Sequence, residues 1–137
     1  MSHESLVFAA ILLIALPTVE YGGYSLLQMI AKRDPGYLEN PVRRNLFRAG
    51  HAHAGVWIVL ALVAMLLVDR ADLSDAARLI VRIGFAAAPI LTPVGFFLSA
   101  VSPRTQTPNR MILFVYLGGL CLAVAAVILG IGLLRAA

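Results

Sequence analysis

The chain has 137 residues, 61% of them apolar and only 13% charged, with a formal net charge of +4. Ordinary soluble domains carry about a quarter charged residues, and one of this size could not bury so much apolar surface; bilayer is the solvent this composition fits. No basic stripe interleaved with exposed aromatics supports a nucleic-acid face, and a lone cysteine, Cys121, excludes an intrachain disulfide.

Hydropathy predicts four spans, at 6–30, 49–68, 83–101 and 111–134. Each is near the ~20 residues that cross a hydrocarbon core. The runs are continuous rather than alternating, so helices are expected and barrel strands are not. Short linkers favour antiparallel neighbours. The expected fold is a single transmembrane domain, 1–137: an all-α, integral membrane four-helix antiparallel bundle.

The first span has no lysine or arginine ahead of its apolar run, which reads as a retained helix rather than a cleavable signal. It carries Glu20, with Tyr24 and Gln28 at i+4 and i+8 on the same face. Pro17 lies one turn earlier, and Gly22 and Gly23 thin the helix so that another group can approach. In the first linker, Asp34-Pro35-Gly36 signals a turn. Asn40 before Pro41 reads as an N-cap followed by proline at the first helical position, so the second helix should begin before its apolar run. Tyr37 and Phe47 read as interface anchors.

The second span opens on FRAGHAHAGVWIVL, residues 47–60. Two residues apart, His51 and His53 point to nearly opposite sides of an ideal helix, so one ion is not expected to take both. One should face inward, the other a second helix pair, a subunit interface or the headgroups. In the second linker Ser74 is a candidate cap, and Asp69, Asp72 and Asp75 read as a solvated loop face, with a metal site as the alternative. The third span holds Thr92 between Pro89 and Pro93, which would kink the helix and free carbonyls to line a site. The fourth carries Tyr116 and a stripe of small residues, Gly119, Ala123, Ala126 and Gly130, where a helix of this chain or of a second copy could approach closely, making a homo-oligomer one expectation.

Ionisable groups inside a span are costly and are functional hypotheses by default. At ~1.5 Å of rise per residue, Tyr24 should lie ~10 Å deep, Glu20 ~16 Å and the histidines ~8–10 Å. Thr92 and Tyr116 fall at comparable levels. The expectation is a polar site in the cytoplasmic half built from Glu20, Tyr24, Gln28, His51, His53, Thr92 and Tyr116. It would bind a small ligand, a metal through His51 or His53, or haem. The competing readings are a buried acid that fixes packing, and histidines bonded to headgroups. Lys32, Arg33, Arg43, Arg44, Arg48, Arg104 and Arg110 lie on one side, Arg70, Arg78, Arg82 and Arg135 on the other. That excess places both termini outside the cytoplasm of a bacterial plasma membrane.

RAGHAHAGVWIVLALV resembles a segment of small, uncharacterised bacterial four-helix membrane proteins, a likeness of about one span that implies no activity. The His-Ala-His element is similar to the His-x-His of haem-copper oxidase subunit I, where the two histidines face different haems. Only His3 remains besides, too few for an oxidase centre; that likeness leaves a haem held between two copies. An acid in the first of four helices is similar to small multidrug-resistance antiporters, whose exchange depends on that acid alternating between proton and cation. This chain is longer, and its asymmetric charge favours one orientation. Binding is therefore the leading expectation, with a proton-coupled transporter using Glu20, or a non-catalytic assembly subunit, as the alternative. Enzyme activity stays open, because no G-x-S-x-G, H-E-x-x-H or CxxC motif is present to decide it.

Overall fold

The computed structural model describes residues 1–137 and is helical throughout, with no strand. Four long helices, α1 (His3–Ala31), α3 (Pro41–Leu67), α4 (Asp75–Ser99) and α5 (Leu113–Ala136), are joined by short connections, and a single turn, α2 (Pro35–Leu38), sits in the first of them. All four are long and apolar enough to cross a membrane. The chain is an all-α four-helix bundle and, by composition, a membrane protein.

Local chemistry sets the helix starts. Ser2 Oγ accepts from the Ser5 N–H and starts α1. Asn40 Oδ1 accepts from the Arg43 N–H at 3.0 Å, with Pro41 next, so α3 begins eight residues before its apolar run. Ser74 does the same for α4 through the Ala77 N–H. α4 therefore starts well ahead of the expected 83, and the second linker shrinks to a 3-10 turn, Val68–Arg70, and four more residues. Asp34-Pro35-Gly36 is more than a turn: the Asp34 side chain caps α2. Pro17, Pro89 and Pro93 all lie inside unbroken helices.

Packing follows chain order: α1 lies on α3, α3 on α4 and α4 on α5. α4 is the central helix, with half of its most apolar window buried, against 6% for α1. One core joins Leu12, Ile58, Met65, Val81, Phe85 and Leu129. A smaller core at the other end joins Leu26, Tyr37, Phe47 and Ala100. Tyr37, only 2% exposed, and Phe47 are thus core residues rather than interface anchors. The folding of α2 back over α3 carries Tyr37 inward, and the Arg43 guanidinium caps the Phe47 ring at 4.6 Å.

The α4–α5 seam depends on absent side chains. A Cβ at Gly84 would lie 2.6 Å from Ala125 Cβ, and one at Gly118 would collide with Thr92 Oγ1. Gly118, Ala125 and Gly132 form the stripe that faces the rest of the chain; Gly132 receives Leu73, and its carbonyl accepts from the Asp72 N–H at 2.9 Å. The expected stripe is one position further round. Nothing lies within 4 Å of a Cβ at Gly119 or Gly130, and Ala123 and Ala126 are exposed, so no helix of this chain covers it.

Candidate functional site

The inward stripe of α1 is a heptad: Ser5, Leu12 and Leu26 are buried, and Val19 packs against the main core. Glu20 stands one residue, about 100° of helix, beyond Val19. Tyr24 and Gln28 follow it round the same flank. Glu20 and Tyr24 are exposed, Gln28 half-buried. Tyr116 is exposed on α5. Thr92 is fully buried, but in the α4–α5 seam beside Gly118, where its hydroxyl has no hydrogen-bond partner. The fold thus does not gather the expected set into one pocket. Equal depth along helices does not bring side chains together when they leave their helices in different directions.

The two histidines do part company. His51 reaches α1, where its imidazole lies on the two glycines: a Cβ at Gly23 would sit 3.0 Å from His51 Cε1, one at Gly22 3.6 Å from Nδ1. His53 turns toward α4 and packs on Phe96 and Trp57, ring centroids 5.2 and 5.1 Å away. Its Nδ1 lies 2.7 Å from the Ala49 carbonyl. A carbonyl only accepts, so that nitrogen carries the proton. The imidazoles therefore serve different neighbours and make no common ligand pair, and no group of three His, Cys, Asp or Glu side chains comes together to hold a metal.

What His51 does join is a cleft. α1 and α4 both lean on α3 but meet each other little, and the gap between them encloses about 310 Å³. Phe8, Ala15 and Val19 form the α1 wall, Ala54 and Ile58 the floor, and Pro89 and Pro93 stand on the α4 side. Proline lacks an N–H, so each leaves a carbonyl one turn earlier without its helical partner. Ile11, Ile90 and Val94 rim the cleft and are exposed, so it opens sideways toward lipid. Polarity is sparse and placed: His51 and Gly22 at one end, the Thr18 hydroxyl at the edge. Such walls hold a small apolar body, while an imidazole orients one polar group.

At the opposite end of α1, the fold assembles a polar cluster that hydropathy did not reveal. Arg82 is only 4% exposed. Its Nη2 donates to Asp69 Oδ1 at 2.8 Å and to Ser2 Oγ at 3.0 Å, and its Nε donates to Ser5 Oγ at 3.0 Å. Asp69 also accepts from the Ser2 N–H at 2.6 Å and from the Ser5 hydroxyl at 2.9 Å. Glu4 lies 3.2 Å from Arg82 Nη1. Asp69 is therefore no free loop acid, while Asp75 is exposed and pairs with Arg78 at 3.5 Å. Arg82 Nε and Nη2 both donate to acceptors and Nη1 faces Glu4, which makes the cluster a clasp between α1 and α4. No family model, curated protein or solved structure matches this chain.

Proposed function

We propose that the protein binds a small, mainly apolar molecule carrying one polar group in the α1–α3–α4 cleft, with His51 as the polar contact. The single observation behind this reading is the lateral cleft, apolar but for His51 on Gly22 and Gly23 and the Thr18 hydroxyl at its edge. Its volume is at the lower end for ligand pockets, about 300–1,000 Å³, which favours a compact ligand over a bulky one. The lysine and arginine excess supports a bacterial plasma-membrane location with both termini outside the cytoplasm.

The test is isolation of the protein in membrane-derived nanodiscs and mass spectrometry of the extracted small molecules. A compound enriched with wild type should vanish in Ala15→Phe, which fills the cleft. In His51→Leu its affinity should fall about tenfold, the scale of one hydrogen bond to a buried polar group. Identical extracts from wild type and a folded Ala15→Phe protein would refute the reading. Absorption and metal analysis of the same samples decide whether the occupant is haem or a metal ion.

A second reading, an assembly subunit, is favoured by a separate observation. Glu20 and Tyr24 are exposed on a helix that would otherwise face lipid, where an acid is expensive. Coverage of that flank by another protein removes the cost.

A further inference from the structure

A second groove meets the first at His51. It lies where α1 ends and α3 begins, encloses about 470 Å³, and is bordered by Leu26, Ile30, Tyr37, Leu38, Arg44 and Arg48 together with His51. No acid lines it. Arg44 and Arg48 are one helical turn apart on α3, and His51 is the next residue of that face. Arg44 Nη1 donates to the Leu38 carbonyl at 2.9 Å, which fixes its stem across the α2 turn. Arg48 is exposed and meets no carboxylate or hydrogen-bond acceptor of the chain. Arg43, its neighbour in sequence, is engaged elsewhere, with Asp34, Gly36 and Phe47.

The level of this groove matters. Arg44 and Arg48 precede the apolar run of α3, so they stand where phosphates of the bilayer lie. Ile30, half exposed, and the buried Leu26 continue the groove from that level toward the membrane interior. Two cations at its polar end and a hydrocarbon trough below match an anionic amphiphile. A free anion would leave the apolar wall unused, and a zwitterionic lipid would bring its own cationic group beside the two arginines.

We infer that the groove between the end of α1 and the start of α3 is a binding site for one anionic phospholipid, its phosphate held by Arg44 and Arg48 and an acyl chain laid along Leu26 and Ile30. Its phosphate contacts lie outside the α1–α3–α4 cleft, which the groove meets only at His51.

Native mass spectrometry of the full chain, titrated in detergent with phosphatidylglycerol or phosphatidylcholine, tests this. Wild type should retain one phosphatidylglycerol with about thirtyfold preference over phosphatidylcholine, the size expected of two arginines at an anionic surface. Arg44→Gln with Arg48→Gln should abolish the preference. Arg104→Gln with Arg110→Gln, an equal loss of charge in the loop before α5, should leave it intact. Arg48→Gln alone removes no hydrogen bond or ion pair within the chain, so it carries the test if the double variant does not fold, with a several-fold loss expected. Equal affinity for the two lipids in wild type overturns the proposal. So does a preference that survives the groove variants or falls equally in the loop variants. Loss on adding excess inorganic phosphate with no lipid dependence would identify a free-anion site instead and also overturn it.

Discussion

Arg82 is the residue that ties the start of α1 to α4. Removing one member of a buried ion pair leaves the other without compensation, at a cost of about 3–5 kcal/mol. Arg82→Met should therefore lower stability by about 3 kcal/mol on that scale, read as a fall in melting temperature in detergent. Asp69→Asn should cost a similar amount, because it leaves the buried Arg82 charge with only the exposed Glu4 beside it and turns an amide N–H2 toward the Ser2 N–H or the Ser5 hydroxyl. Asp75→Asn, at an exposed pair, should change stability by well under 1 kcal/mol. Arg82 looks like a loop cation because the apolar run starts at the next residue. A different signal does expose it: Arg82, Phe85, Pro89 and Thr92 recur at i, i+3, i+7 and i+10, the buried face of α4. Its partners lie 13 and 77 residues away in sequence, a pairing no local pattern encodes.

Among the elements, α4 and α5 show how one position of offset decides which face is used. Gly118 and Ala125 meet α4, whereas Gly119 and Ala126, rotated by about 100°, face away from every other helix. Gly84→Ala and Gly118→Ala should each cost about 1–3 kcal/mol through overpacking against backbone or buried atoms. Gly119→Ala and Gly130→Ala should leave the melting temperature of the monomer unchanged or slightly raised, since each replaces a helical glycine in open space. The reverse order of effects would mean that α5 packs through its other stripe. Helix number, the Asn40 and Ser74 caps and the early start of α3 were legible in sequence, because capping and hydropathy are local. Which of two adjacent small-residue stripes meets α4 was not, since α5 is apolar all round and its composition does not distinguish its faces. Glu20 and Tyr24 were similarly ambiguous: their shared face is a local fact, but whether it points inward depends on where α3 lies.

At the scale of the whole molecule, the four long helices form a row folded on α4 rather than a closed ring, and this leaves α1 and α5 with unpartnered flanks. If a second copy covers α1, Tyr24→Cys in a Cys121→Ser background should yield a disulfide-linked dimer in membranes on mild oxidation. Ala123→Cys should do so if the α5 stripe is used. Neither crosslink is expected from a protein that stays monomeric, and that outcome would remove the homo-oligomer. His51 was singled out from the sequence and does line the cleft, but the cleft itself arises from α1 and α4 diverging over α3, a three-body arrangement that periodicity does not describe.

The first helix is held at its start by the Arg82 clasp and near its end by Leu26 among Tyr37, Phe47 and Ala100. Mechanically it is a beam supported at both ends, so it cannot swing aside like a gate; it can only bow. Pro17 removes a rung of the hydrogen-bond ladder beside the cleft, and flexure concentrates at such a gap. Passage of a guest from the hydrocarbon should therefore widen the slot at mid-span, and deuterium uptake along α1 should peak around residues 13–17 while both supports stay protected.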